Sequence, residues 1–127
     1  MIKTNTVVFL ISLTVLSVCH YLSLHFYLYW IYPWLDIPMH ALGGSVVALG
    51  WYAARDFSDH LPKRTLGLWS TLAVVLAVAL AWEAYEVLIG ISIDEPGYWS
   101  DTVADLVIGL LGGLVGYQVA RRLREDL

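Results

Sequence analysis

Four long apolar stretches restrict the folds that this chain can adopt. They run from Val7 to Trp30, Ile37 to Ala54, Leu66 to Ile91 and Thr102 to Ala120. Each is close to the ~20 residues that an α-helix needs to cross the ~30 Å hydrocarbon core of a bilayer. Hydrophobic residues make up 59% of the chain, against roughly 45–50% in soluble domains. The sequence therefore predicts one all-α transmembrane domain, residues 1–127, with four spanning helices.

Basic residues are confined to alternate connecting segments. They lie before the first stretch, between the second and third, and after the fourth, and the other two connections contain none. Because Lys and Arg are enriched in cytoplasmic loops, this pattern predicts an antiparallel up-down four-helix bundle in a bacterial cytoplasmic (inner) membrane, with both termini in the cytoplasm. The seven basic residues are Lys3, Arg55, Lys63, Arg64, Arg121, Arg122 and Arg124.

Acidic residues and one histidine occur at the opposite, predicted extracytoplasmic, ends of these stretches. They form three pairs, Asp36/His40, Glu83/Glu86 and Asp101/Asp105. The i,i+3 and i,i+4 spacings place both members of a pair on one helix face. Small residues such as Gly109, Gly112 and Gly116 continue these faces, and small residues allow transmembrane helices to approach closely. We therefore expect the acidic side chains to face the interior of the bundle.

Carboxylates within a membrane need compensation, because each charged group costs at least ~2.5–3.5 kcal/mol to insert. The topology places every Lys and Arg on the other side. Three arrangements remain: a bound divalent cation, a protonated and hydrogen-bonded carboxyl network, or separate structural positions, with Asp36 and Asp101 as helix caps. A cation is favoured. Carboxylates with one imidazole suit Mg²⁺, Ca²⁺ or Mn²⁺, and also admit Zn²⁺ or Fe²⁺. The predicted metal ligands are Asp36, His40, Glu83, Glu86, Asp101 and Asp105.

A family resemblance covers about residues 31–120. The motifs Asp36-x-Pro38-x-His40-x-x-Gly43-Gly44, Trp82-Glu83-x-x-Glu86 and Asp101-x-x-x-Asp105-x-x-x-Gly109 resemble those of the small bacterial membrane proteins grouped as YjdF-like. They are more distantly similar to those of VanZ-like proteins. The resemblance implies the same six site residues, leaves His25 and Asp94 outside the match, and implies no particular reaction.

Several functions agree with such a site. The first is a metal-dependent hydrolase or transferase that acts at the outer leaflet on a lipid or lipid-linked phosphate. Metal-activated water would then be the nucleophile, with Glu86 as the catalytic general base. Against it, no Lys or Arg on that side can hold a phosphate. The alternatives are a metal-binding or proton- and cation-handling module, and a structural subunit in which a metal joins the helix ends.

Partners and the remaining histidines are less constrained. Membrane lipid is the expected partner, and the glycine-rich fourth helix can support a homo-oligomer. Nucleic-acid binding is not expected, because the few arginines of the C-terminal tail are interleaved with Glu125 and Asp126.

His20 and His25 lie at an i,i+5 spacing that does not place them squarely on one face. His25 is either an additional ligand or proton acceptor, or a packing residue.

Overall fold

The computed structural model describes residues 3–57, 66–90 and 93–125, most of which are helical and none of which is in a strand. The predicted all-α class is confirmed. The elements in chain order are α1 (Thr4–His25), α2 (Leu28–Ile31), one 3₁₀ turn (Pro33–Leu35), α3 (Asp36–Phe57), α4 (Leu68–Leu88) and α5 (Tyr98–Glu125). Helices α3 and α5 extend beyond the apolar stretches that predicted them, because polar residues continue both helices at each end.

The first apolar stretch does not form one helix to its end. Helix α1 stops at His25, and Tyr27 then adopts a left-handed backbone conformation with φ 56°. This conformation is uncommon for a residue other than glycine. It turns the chain, so that α2 does not continue the direction of α1. The turn returns Tyr29 toward α1, where its hydroxyl group lies 2.8 Å from His20 Nδ1 in a hydrogen bond. The prediction of a single helix through Trp30 was therefore too long by about one turn.

Three of the described helices are long and apolar enough to cross a bilayer, namely α1, α4 and the Tyr98–Leu123 part of α5. Helix α3 has 22 residues but is not among them. Its composition reflects its position, because α3 packs against α1, α4 and α5 and carries most of the buried core. A helix surrounded by other helices needs fewer large apolar side chains than one that faces lipid. Four spans, as opposed to three, stay a prediction.

Helices α3 and α5 pack most closely, and glycines allow it. A Cβ atom at Gly44 would overlap the backbone of Gly109, and one at Gly112 would overlap the backbone of Ala41. The Ser45 hydroxyl donates a hydrogen bond of 2.7 Å to the Gly112 carbonyl oxygen. The Cβ position of Gly109 lies nearest His40 in α3, that of Gly112 lies against Ala41, and that of Gly116 lies against Ser45 and Ala48. Residue numbers rise together in this series, so α3 and α5 run in the same direction.

Helix α4 runs the opposite way against α5, because Ala79 approaches Gly109 and Val75 approaches Gly113. The glycines of α5 are thus buried between helices of one chain. The predicted homo-oligomer through this helix stays a prediction.

The two ends of the helix assembly differ in charge. At one end, Leu49, Tyr52, Leu66 and Ala120 form a buried cluster, and the Tyr52 hydroxyl donates a hydrogen bond to the Leu66 carbonyl oxygen. The described basic residues belong to this end, since they begin α1 or end α3 and α5. They are Lys3, Arg55, Arg121, Arg122 and Arg124. The acidic pairs belong to the other end. Lys63 and Arg64 lie outside the described residues.

Candidate metal site

The glycine contact between α3 and α5 brings the first site residues together. His40 lies one helical turn before Gly44, and Asp105 lies one turn before Gly109. Because the two backbones touch at Gly44 and Gly109, short side chains one turn away can reach each other. Asp36 is one further turn along α3 on the same face as His40. The parallel helices thus bring the side chains of Asp36, His40 and Asp105 together.

These three side chains form a compact group. His40 Nε2 lies 3.4 Å from Asp36 Oδ1 and 3.7 Å from Asp105 Oδ2. One ligand atom from each residue can be chosen so that all three lie within 4.8 Å of one another. The side chains of His40 and Asp105 are 13% and 8% exposed, whereas that of Asp36 is 37% exposed. His40 and Asp105 are therefore shielded between the helices, and the group is accessible from outside at Asp36.

The group has an excess of negative charge. Asp105 is buried against a single imidazole, and no described Lys or Arg lies at this end of the helices. Glu86 is close enough to His40 for their charges to interact, and Glu83 and Asp101 are similarly close to Asp105. Carboxylates in a poorly solvated region repel one another and favour a bound cation or proton.

The structure places the other three predicted ligands around this group and not in its centre. Glu83 is buried, with 7% of its surface exposed. Glu86 is half-buried and accepts a hydrogen bond of 2.9 Å from Trp82 Nε1. Asp101 is exposed in the first turn of α5. Among the six predicted ligands, only Asp36, His40 and Asp105 have ligand atoms within reach of one ion.

The two histidines of α1 have different surroundings. His25 is exposed, stacks on Tyr21 and contacts the edge of Phe26. It does not join the cluster. His20 is half-buried and contacts the edge of the Trp82 ring, with ring centroids 5.4 Å apart. Because Trp82 also binds Glu86, His20 belongs to the surroundings of the acidic group.

Tyr29 is a neighbour of the site that the sequence did not indicate. Its hydroxyl group bonds to His20 Nδ1. Burial, together with the negative charge of Asp36, raises the pKa of the Tyr29 phenol above its ordinary value. The phenol therefore stays protonated and can donate or accept a hydrogen bond at this end of the molecule.

The arrangement can perform a limited set of reactions. Two carboxylates and one imidazole can bind a divalent cation and leave further coordination positions for water or a ligand. Glu86 can accept a proton beside them. Within the described part of the cluster, no serine hydroxyl or cysteine thiol is hydrogen-bonded to a base, so covalent catalysis through serine or cysteine has no support here.

Comparisons with known proteins give a family but no closer relative. The model of the family described as "Predicted membrane protein (DUF2238)" matches residues 3–126. This family is the YjdF-like group, so that resemblance is confirmed. The more distant similarity to VanZ-like proteins is not shown by these comparisons. No curated protein and no solved structure matches the chain significantly.

Proposed function

We propose that this chain, which belongs to the DUF2238 family of predicted membrane proteins, is a membrane-embedded metalloprotein that hydrolyses or transfers a lipid or lipid-linked phosphate. One observation carries the proposal. Ligand atoms of Asp36, His40 and Asp105, contributed by two closely packed helices, converge within 4.8 Å of one another.

The distances fit a shared ion. Metal–ligand bonds of about 2.0–2.4 Å place neighbouring ligand atoms about 3–3.5 Å apart. The separations at His40 Nε2 are 3.4 Å and 3.7 Å, which is longer than the roughly 2.7–2.9 Å of a charge-assisted hydrogen bond. A divalent ion would also offset the two carboxylates. Mg²⁺, Ca²⁺ and Mn²⁺ suit the oxygen ligands, and Zn²⁺ or Fe²⁺ suit the imidazole.

The chain's orientation is part of the proposal. All four long helices cross the inner membrane in an up-down bundle, both termini are cytoplasmic, and the candidate site lies at the extracytoplasmic ends. The separation of charge supports this, because the described basic residues are at the opposite end from Asp36 and Asp105. Helix α3 then crosses the bilayer inside a ring of more apolar helices.

Each residue of the site has its own role in the proposed reaction. Asp36, His40 and Asp105 hold the ion, which when bound polarises a phosphoryl oxygen and lowers the pKa of a water molecule. Glu86 acts as the general base, and Trp82 fixes its orientation through the hydrogen bond to Oε1. Because no described Lys or Arg lies at this end, the ion would have to supply the positive charge that binds a phosphate.

Elemental analysis with a hydrolysis assay tests the proposal. Protein purified in detergent without chelators is expected to contain a divalent metal in stoichiometric amount. The metal-loaded protein is expected to release phosphate from lipid phosphates such as phosphatidic acid or a polyprenyl diphosphate, and the chelated protein is not. Protein that binds none of the five metals at micromolar concentration would rule out the metal site.

A structural role for the ion is the second candidate. The burial of Asp105 and the direct packing of α3 on α5 favour an ion that holds the two helices together. Metal removal would then unfold the protein, and the metal-loaded protein would show no hydrolysis. A module that only binds or relays cations or protons would retain its fold after metal removal and show no hydrolysis either.

A further inference from the structure

A second feature at the acidic end of the molecule is a cavity of about 400 Å³. It opens between α2 and the turn that follows α4, and it is lined by Tyr29, Trp30, Gly90 and Glu95. Gly90 has a φ of 105°, and no atom lies within 4 Å of the position that a Cβ would take there. The backbone at Gly90 thus forms part of the wall without filling the space.

The cavity is connected to the candidate metal site through Tyr29. The Tyr29 side chain lines the cavity, while its hydroxyl group bonds to His20. The same phenol is close enough to Asp36 and Glu86 for electrostatic interaction. Tyr29 therefore belongs both to the wall of the cavity and to the surroundings of the acidic group.

The walls have the chemistry of an ammonium site. Trp30 is 70% exposed, and its ring lies 5.8 Å from that of Tyr27. Glu95 adds a carboxylate, and no Lys or Arg lies at this end within the described residues. Aromatic faces attract organic cations, and a carboxylate adds a direct ionic partner. A phosphate alone would meet only negative charge here.

We propose that the Tyr29–Trp30–Glu95 cavity binds the ammonium group of a zwitterionic phospholipid headgroup, of the ethanolamine or choline type. Its exposed tryptophan is typical of side chains at a membrane–water interface, where such headgroups lie. In such a headgroup a two-carbon link joins the ammonium to the phosphate, and in the proposed function the phosphate is the group on which the metal acts. The use of this cavity as a substrate site rests on the proposed function, whereas the binding itself does not.

Headgroup preference measured on detergent-solubilised full-length protein tests the inference. Native mass spectrometry gives the affinity for short-chain phosphatidylethanolamine, phosphatidylcholine and phosphatidylglycerol. We expect the two zwitterionic lipids to bind more tightly than phosphatidylglycerol. Both Glu95→Gln and Trp30→Leu are expected to reduce that preference about three- to tenfold.

Trp34→Leu is the matched control, because Trp34 is 63% exposed at the same end and does not line the cavity. Its headgroup preference should equal that of the unmodified protein. Circular dichroism of each variant checks that the helices are retained. Equal binding of phosphatidylglycerol, or unchanged preference in both cavity variants, would overturn the inference. Free choline or ethanolamine that binds as tightly as the lipids would overturn the assignment to a lipid headgroup.

Metal content of the same samples separates the two proposals. A protein that holds its metal but shows no headgroup preference contradicts the cavity assignment alone. A protein that prefers zwitterionic lipids but binds no metal contradicts the proposed function alone, and leaves the cavity as a lipid-binding site.

Discussion

His40 of α3 and Asp105 of α5 face each other with Nε2 and Oδ2 3.7 Å apart, one helical turn from the contact between Gly44 and Gly109. The glycines let the two backbones touch, and this close approach fixes the position of His40 relative to Asp105. The geometry of the candidate site therefore depends on the glycines as well as on its own ligands.

Replacement of Gly44 by alanine is expected to destabilise the protein. The added Cβ would overlap backbone atoms of Gly109 and Gly113, which cannot move as a side chain can. We expect a loss of about 1–3 kcal/mol in the free energy of unfolding, measured by denaturation in detergent. Gly43→Ala is the control, because no atom lies within 4 Å of its Cβ position. Equal stability of the two variants would contradict the close α3–α5 contact.

Removal of one ligand should weaken metal binding without unfolding the protein. For His40→Ala we expect the Kd of the bound metal to rise by at least about tenfold, measured by competition with a fluorescent chelator. Glu95→Gln removes a carboxylate at the same end but outside the cluster, and should leave the Kd unchanged. Identical affinities in both variants would show that the ion, if bound, lies elsewhere.

Glu86→Gln is expected to separate catalysis from metal binding. Glutamine keeps an oxygen that can accept the hydrogen bond from Trp82 Nε1, but it cannot accept a proton as a base. The metal content should stay the same, and hydrolysis of a lipid phosphate should fall about 10²- to 10⁴-fold. Loss of the metal in this variant would instead make Glu86 a ligand. Full activity would remove it from the mechanism.

Much of this arrangement could be predicted from the sequence, because it depends on periodicity. The length of the apolar stretches predicted the helices, and the four-residue spacing of Asp36 and His40 predicted their common face on α3. Hydropathy could not show the break at Tyr27. No glycine or proline marks it, and the apolar residues continue on both sides. The position of Tyr29 over His20 depends on that break.

The sequence also could not show how each helix is rotated about its axis, and therefore which of its acidic side chains are buried. Asp101 and Asp105 share an i,i+4 spacing, yet Asp101 is exposed and Asp105 is buried. Asp101 lies in the first turn of α5, so less protein surrounds it. In α4, Glu83 is more buried than Glu86, which three-residue spacing alone does not decide. The six predicted ligands therefore contained the compact group, but the spacing did not distinguish its three members.

The hydrogen bond between Tyr29 and His20 can be tested by stability. Tyr29→Phe removes the hydroxyl group while the ring remains, and leaves His20 Nδ1 without this partner. We expect a loss of about 1 kcal/mol in the free energy of unfolding. Tyr21→Phe is the matched control on the exposed surface of α1, where Tyr21 is 65% exposed, and should change stability little. An equal effect of both variants would contradict the α2 placement.

The orientation of the helices can be tested by cysteine labelling in intact cells. In a Cys19→Ser background, a cysteine at Glu95 is expected to react with a membrane-impermeant maleimide before lysis. A cysteine at Arg55 should react only after lysis, because α3 carries the chain from the acidic end to the basic end. Labelling at both positions before lysis would mean that α4, which joins Arg55 to Glu95 along the chain, does not cross the bilayer. The proposed up-down bundle, with the acidic residues on one side of the membrane and the basic residues on the other, would then be wrong.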